Sequence, residues 1–191
     1  MKKISIAMLF ALGFSSYAFA DWTLVNEESS LNYISIKNLK VAELNTFKSL
    51  NGSINDSGAV SINVNLGSVE TKIPIRNDRM QAMFFEVGKF AEANISGSVN
   101  LDRANKLAIG DTYTDSIKLK LSLHGMSKEV SGTAQITKLT DNRLLVTSIE
   151  PVIINSEDFG LAEGVEKLRE IAKLTSINTT VPVTYSLIFK K

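Results

Sequence analysis

Apolar and polar residues alternate along segment after segment of this chain, and almost no stretch carries a helical stripe able to cover the apolar faces so created. Val60, Ile62, Val64 and Leu66 share one side, with Ser61, Asn63 and Asn65 on the other. The same period of two runs through Ile117, Leu119, Leu121 and Leu123, and again through Val181, Val183, Tyr185, Leu187 and Phe189. Faces with nothing else to cover them must cover one another. A closed antiparallel barrel does this and leaves no unpaired edge, so the chain is expected to be all-β, with eight strands.

Residues 1–20 read as a separate signal. Lys2 and Lys3 precede an apolar run over 4–14, too short to span a bilayer, and Ala18-Phe19-Ala20 has the small-x-small form of a cleavage site. A secretory leader cut after Ala20 is expected, leaving 21–191 as one domain in a bacterial periplasm. Acylation at the cut is excluded, because the chain has no cysteine. The same absence excludes disulfides, thiol catalysis and thiolate metal sites. Losing two of the 21 basic residues leaves them one short of the 20 acidic ones, and they form no basic stripe, so nucleic acid is not an expected partner.

Asp56-Ser57-Gly58 marks a tight hairpin between strands over 47–55 and 59–66. Two opening strands are expected over 22–26 and 31–36, and a polar stretch without clear strand character to Asn45. Asn77 is placed to cap a short helix near 78–84. Further strands are expected over 94–101, 114–123, 129–138, 143–154 with a break at Pro151, and 176–189. Leu161, Val165, Leu168, Ile171 and Ala172 lie close to helical spacing, predicting an amphipathic helix near 162–174 that packs on the barrel wall or closes one mouth.

Alternation does not itself say which face points inward. An outer-membrane barrel has the same period with its apolar residues toward lipid, but a 7% aromatic share is thin for two girdles and the chain ends on Lys190-Lys191. A soluble barrel with an apolar bore is preferred. Eight strands enclose room for their own side chains or for one small ligand. Small residues on the row Val130, Gly132, Ala134 and Ile136 leave space, though a glycine also serves at a bend or bulge. Met80, Met83, Phe84, Phe85 and Phe90 crowd into eleven residues and make an adaptable apolar lining or ordinary core. His124 is the sole histidine, beside Gly125 in an expected turn, and no catalytic motif accompanies it. A turn histidine, no metal site and no enzyme are the expectations.

The run Arg76-Asn77-Asp78-Arg79-Met80 followed by Met83-Phe84-Phe85-Glu86-Val87 resembles the arginine–aspartate and double-phenylalanine segment of the YceI-like family. The stretch from Leu119 through His124-Gly125-Met126-Ser127-Lys128 to Val130 is similar to that family's hairpin, and Asp158-Phe159-Gly160-Leu161 to its late DFGL element. Ser29-Ser30 stands where the family has His-Ser, and the added Asn77 lets either Arg76 or Arg79 take the family's arginine position. The resemblance implies a lipocalin-like barrel, exported, that binds polyisoprenoids or similar long-chain amphiphiles and has no catalytic residues.

On this reading the ligand-binding residues are Tyr33, Phe47, Val64, Met80, Met83, Phe84, Phe90, Leu121, Val130, Gly132, Ala134, Phe159 and Tyr185, with Arg76, Asp78 and Arg79 at the polar head. No cofactor is expected beyond a non-covalently held isoprenoid or other lipid. The partner is a long-chain hydrophobic small molecule, membrane contact is at most transient, and the oligomeric state is left open, a dimer included. The alternative is an interaction protein whose bore is filled by its own side chains and whose outside docks a membrane partner.

Overall fold

The computed structural model describes residues 21–191, and the leader expected over 1–20 lies outside the described residues. Twelve strand segments occur among the described residues: β1 (Trp22–Leu24), β2 (Ser30–Lys37), β3 (Val41–Phe47), β4 (Leu50–Ile54), β5 (Ala59–Asn65), β6 (Val69–Glu70), β7 (Glu92–Ser98), β8 (Thr112–Leu123), β9 (Met126–Thr140), β10 (Arg143–Ser148), β11 (Val152–Asn155) and β12 (Thr180–Lys190). They form eight staves, because four staves are broken once. β1 and β2 are parted by a 3-10 turn at Asn26–Glu28, β5 and β6 by one at Leu66–Ser68, β3 and β4 by residues 48–49, and β10 and β11 at Pro151.

Every neighbouring pair is antiparallel. β12 closes the ring: one edge pairs with β10 and β11, the other with β1 and β2. The eight-stranded antiparallel barrel read from the alternation is therefore the fold, and its apolar rows point inward. Val60, Ile62 and Val64 are buried, while Ser61 and Asn65 face solvent.

Local chemistry sets the turns. Gly58, at φ +81°, donates its N–H to the Asn55 carbonyl at 2.8 Å, and Asn55 Oδ1 accepts from Ala59 N–H at 2.9 Å. His124 and Gly125 (φ +52° and +78°) are the two residues of the β8–β9 hairpin, so β9 starts three residues before the strand expected over 129–138. The opening segments do not pair with each other. β1 pairs β4 and β12, and Ser29 Oγ holds the break by donating to Val25 O (2.7 Å) and accepting from Ile188 N–H (2.9 Å). The polar stretch before Asn45 is strand β3, stabilised by pairing with β2 despite its composition.

Three helices decorate the barrel. The one expected near 78–84 begins earlier: α1 (Pro74–Arg79) starts on Pro74 at its first position and runs into a π-helical turn at Met80–Phe84. Asn77 is not its cap; Asn77 Oδ1 accepts from the N–H (2.8 Å) and the hydroxyl (2.6 Å) of Thr71. The strand expected to reach Leu101 stops at Ser98, and α2 (Leu101–Asn105) follows, capped by Asn100 Oδ1 accepting from Arg103 N–H at 3.1 Å. The amphipathic helix is α3 (Ala162–Ile171), ending three residues before the expected 174.

These helices sort to opposite ends. α2 lies in the β7–β8 connection, at the end where β1 starts and β12 finishes, and there Trp22, Leu24, Ile54, Leu101, Ala104, Tyr113, Ala134, Ile136, Leu144 and Phe189 are all buried. The α1 segment and α3 lie at the other end, with the β2–β3 turn. One half of the bore is packed solid.

Candidate functional site

The other half is hollow. A cavity of about 480 Å³ runs between the upper parts of β2, β7, β8, β9, β11 and β12, and α1, the π-turn and α3 lean over its mouth. Its wall is apolar. Leu31, Phe47, Val64, Ile95, Leu121 and Val183 come from the strands, and Leu161, Val165, Leu168, Ile171 and Ala172 from the α3 stripe.

α3 can close down this far because Gly164 is small. A Cβ there would come within 3.1 Å of Met83 O and of the Phe84 Cα in the π-turn. Phe84 and Phe85 stack edge-on at 4.7 Å between ring centroids, Phe85 meets Phe47 at 5.8 Å, and Phe47 meets Tyr33 at 5.5 Å, so aromatic contact is continuous from the helical cover into the wall.

Polar groups gather where the cavity opens. Glu43 accepts from Lys37 Nζ at 2.9 Å and from Arg76 Nη1 at 2.6 Å, tying α1 to β3, and Arg76 Nη2 donates to Thr71 O at 2.6 Å. Burial pushes the Glu43 carboxyl up, but the hydrogen bonds from Lys37 and Arg76 outweigh it and hold the group below its ordinary value. Lys37, Glu43, Arg76 and Arg79 all line the cavity. Four polar atoms on this lining, Arg76 Nε and the hydroxyls of Tyr33, Tyr185 and Ser156, are buried with no protein hydrogen-bond partner. Burial raises the phenol pKa of both tyrosines, so both stay neutral donors.

Of the residues singled out from sequence, Tyr33, Phe47, Val64, Met80, Phe84, Leu121, Val130, Gly132 and Tyr185 line the cavity, together with Arg76 and Arg79. Five do not. Ala134 and Phe159 are buried in packed regions. Met83 is half-buried outside the cavity lining, and its backbone O faces Gly164. Phe90 stacks on the His124 ring, 4.3 Å between centroids, away from the lumen. Asp78 is exposed.

Sequence reading missed Lys37 and Glu43, whose inward direction only the β2–β3 pairing reveals, and it left the α3 stripe without a ligand role although its spacing was plain. His124 keeps to the turn, with Nε2 3.1 Å from Glu86 Oε2. Among the described residues no group of three or more histidine or acidic side chains is placed to hold a metal ion.

The family description "YceI-like domain" matches residues 22–189, which is the barrel but for the last residue of β12. The chain belongs to the YceI-like family. Among solved structures, a polyisoprenoid binding domain from Saccharophagus degradans, implicated in plant cell wall breakdown, is 32% identical to it. That likeness has a TM-score of 0.87 and covers 88% of this chain and 97% of the other. BcnA of Burkholderia cenocepacia is 16% identical with a TM-score of 0.62, covering 86% and 98% of the two chains. The Campylobacter jejuni YceI protein is 17% identical with a TM-score of 0.51, covering 96% and 97%. These last two share the fold. No curated protein matches the chain. The resemblance to the YceI-like family read from the Arg76–Val87, Leu119–Val130 and Asp158–Leu161 segments is borne out.

Proposed function

We propose that this YceI-like protein is a periplasmic carrier that holds one long-chain amphiphile, a polyisoprenoid or a fatty-acyl compound, with its chain in the hollow half-barrel and its polar end at Arg76 and Arg79. The observation that carries this is the void of about 480 Å³, within the range of small-molecule sites and walled by apolar side chains with a few convergent polar groups. A hydrocarbon chain laid on this apolar wall removes it from water at about 25 cal/mol per Å² covered, so the cargo stabilises the fold as well as being carried. The filled-bore alternative needs this space to be occupied by side chains, and it is not. No residue is assigned a catalytic role, and export rests on the leader expected over 1–20.

Organic extraction of freshly purified protein, followed by mass spectrometry, is expected to release a long-chain lipid at about one per chain. An empty extract, together with no uptake of farnesol or palmitate by the extracted protein, rejects the proposal. Cell fractionation with N-terminal sequencing reads the export step, and a periplasmic form starting at Asp21 is expected.

A further inference from the structure

Near its tip, the β2–β3 hairpin reverses the pattern of the rest of the barrel. Ser35, Lys37 and Glu43 point to the cavity, while Ile34, Ile36 and Leu44 take the outer face, with Leu44 53% exposed. The tip is Asn38-Leu39 (φ +51° and +62°), with Leu39 86% exposed. A left-handed turn position ordinarily favours glycine or asparagine; a bulky side chain displayed there to water is disfavoured on both counts. Ile73, Ile75 and Ile171 are exposed on the α1 and α3 sides of the same mouth. The tip is locked to that end, because Asn38 N–H donates to Ser176 O and Asn38 Oδ1 accepts from Thr175 N–H, both at 2.9 Å.

Basic residues flank these apolar projections. Lys40, Lys72 and Lys173 are all exposed, and Lys72 and Lys173 also hold a left-handed backbone (φ +65° and +52°). Arg79, half-buried, adds a fourth cation, and the exposed carboxylates Asp78 on α1 and Glu170 on α3 partly offset the four. Apolar side chains projecting from a ring of lysines match the requirements of an anionic bilayer surface: hydrocarbon enters the headgroup boundary while the cations meet phosphate. Among the described residues no helix is long and apolar enough to cross a membrane.

We propose that the cavity mouth is a docking surface for anionic phospholipid bilayers, with Leu39 and Leu44 inserted at the headgroup boundary and Lys40, Lys72 and Lys173 providing the charge attraction. A reversible contact of this kind sets the opening of the lumen against the source of its cargo.

Flotation of residues 21–191, which contain the whole barrel, with vesicles of phosphatidylethanolamine and phosphatidylglycerol tests this. The protein is expected to float with them at least tenfold more than with phosphatidylcholine vesicles, and 0.5 M sodium chloride should abolish the difference. The double variant Leu39→Asn, Leu44→Ser should lose flotation but keep farnesol uptake. Since asparagine suits the left-handed turn, Leu39→Asn alone should melt no lower than the parent while floating less, an outcome a purely structural leucine would not give. No flotation of the parent overturns the proposal. So does equal flotation of the double variant, or sedimentation showing a dimer that the double variant splits, which would assign these leucines to a second copy of the chain. Because farnesol uptake is read separately, failure here leaves the carrier reading intact.

Discussion

Gly132 and Ala134 stand two residues apart on one inward row of β9, and between them the bore changes from hollow to packed. A Cβ at Gly132 would meet only Val152 Cγ2, at 3.0 Å, and beyond it lies the cavity. Ala134 is 1% exposed, with no adjoining space. Leucine should therefore act differently at the two positions. Gly132→Leu is expected to fill the lumen and cut farnesol uptake at least tenfold with little loss of stability. Ala134→Leu should cost about 1 to 3 kcal/mol in urea unfolding and leave uptake near normal. Equal uptake by the parent and Gly132→Leu would show that the ligand sits elsewhere. At this scale the sequence was legible where a strand carried an apolar row that fixed the side-chain direction, as at Val64, Leu121 and Tyr185, and not at Lys37 and Glu43, where polar residues take the inward positions. It misled in irregular segments: Phe90 and Met83 fit an apolar lining by composition, but no period of two governs where they point. Phe159, in a 3-10 turn, turns into packed core for the same reason.

The α1 segment covers the mouth on a small set of polar anchors, and acid should loosen them. Glu70 accepts from Lys48, from Asn77 Nδ2 at 3.1 Å and from Lys72 N–H at 2.6 Å. These hydrogen bonds, Lys48 first, pull its carboxyl from the ordinary 4.5 down to about 2. A pKa depressed in the folded state contributes stability that is complete above about pH 4.5 and is lost as the pH falls toward 2. Glu43, also held below its ordinary value, acts in the same direction. The Lys72 amide resonance is thus expected to titrate with a midpoint near pH 2, well below the ordinary 4.5, as the anchor releases, and Glu70→Gln should remove that titration. A midpoint at the ordinary 4.5 would disprove the anchor. The element itself was only half legible. Asn77 is a good cap by residue type, yet Pro74 at the first helical position fixes the start, and a partner six residues back, Thr71, takes the asparagine side chain. α2 carried a comparable signal in Asn100, masked by the alternation that ran through Ile95, Gly97 and Val99 up to Leu101. α3 was plain because an amphipathic stripe needs no tertiary information.

The barrel as a whole divides its labour along its axis. The closed end, built on Trp22, Tyr113 and α2, is a packed core with no place for a ligand, and the open end keeps its apolar wall free. Alternation reveals the closed sheet but gives both ends the same pattern, since a filled and an empty lumen each need apolar residues inward. Only the residue sizes and the helical covers distinguish them. This division predicts how stability should respond to the cargo. A ligand that binds only the folded chain stabilises it by about 2.7 kcal/mol at one hundred times its dissociation constant. For a domain of this size each kcal/mol moves Tm by about 2–4 °C. Protein stripped of lipid should accordingly stay folded and cooperative but melt roughly 5–10 °C below the protein as isolated, and added polyisoprenoid should restore the difference in a concentration-dependent way. Collapse of the stripped protein to an unfolded chain would mean that the closed end is not a self-sufficient core. An unchanged Tm, with lipid removal verified by mass spectrometry, would mean that the void is not where the lipid binds.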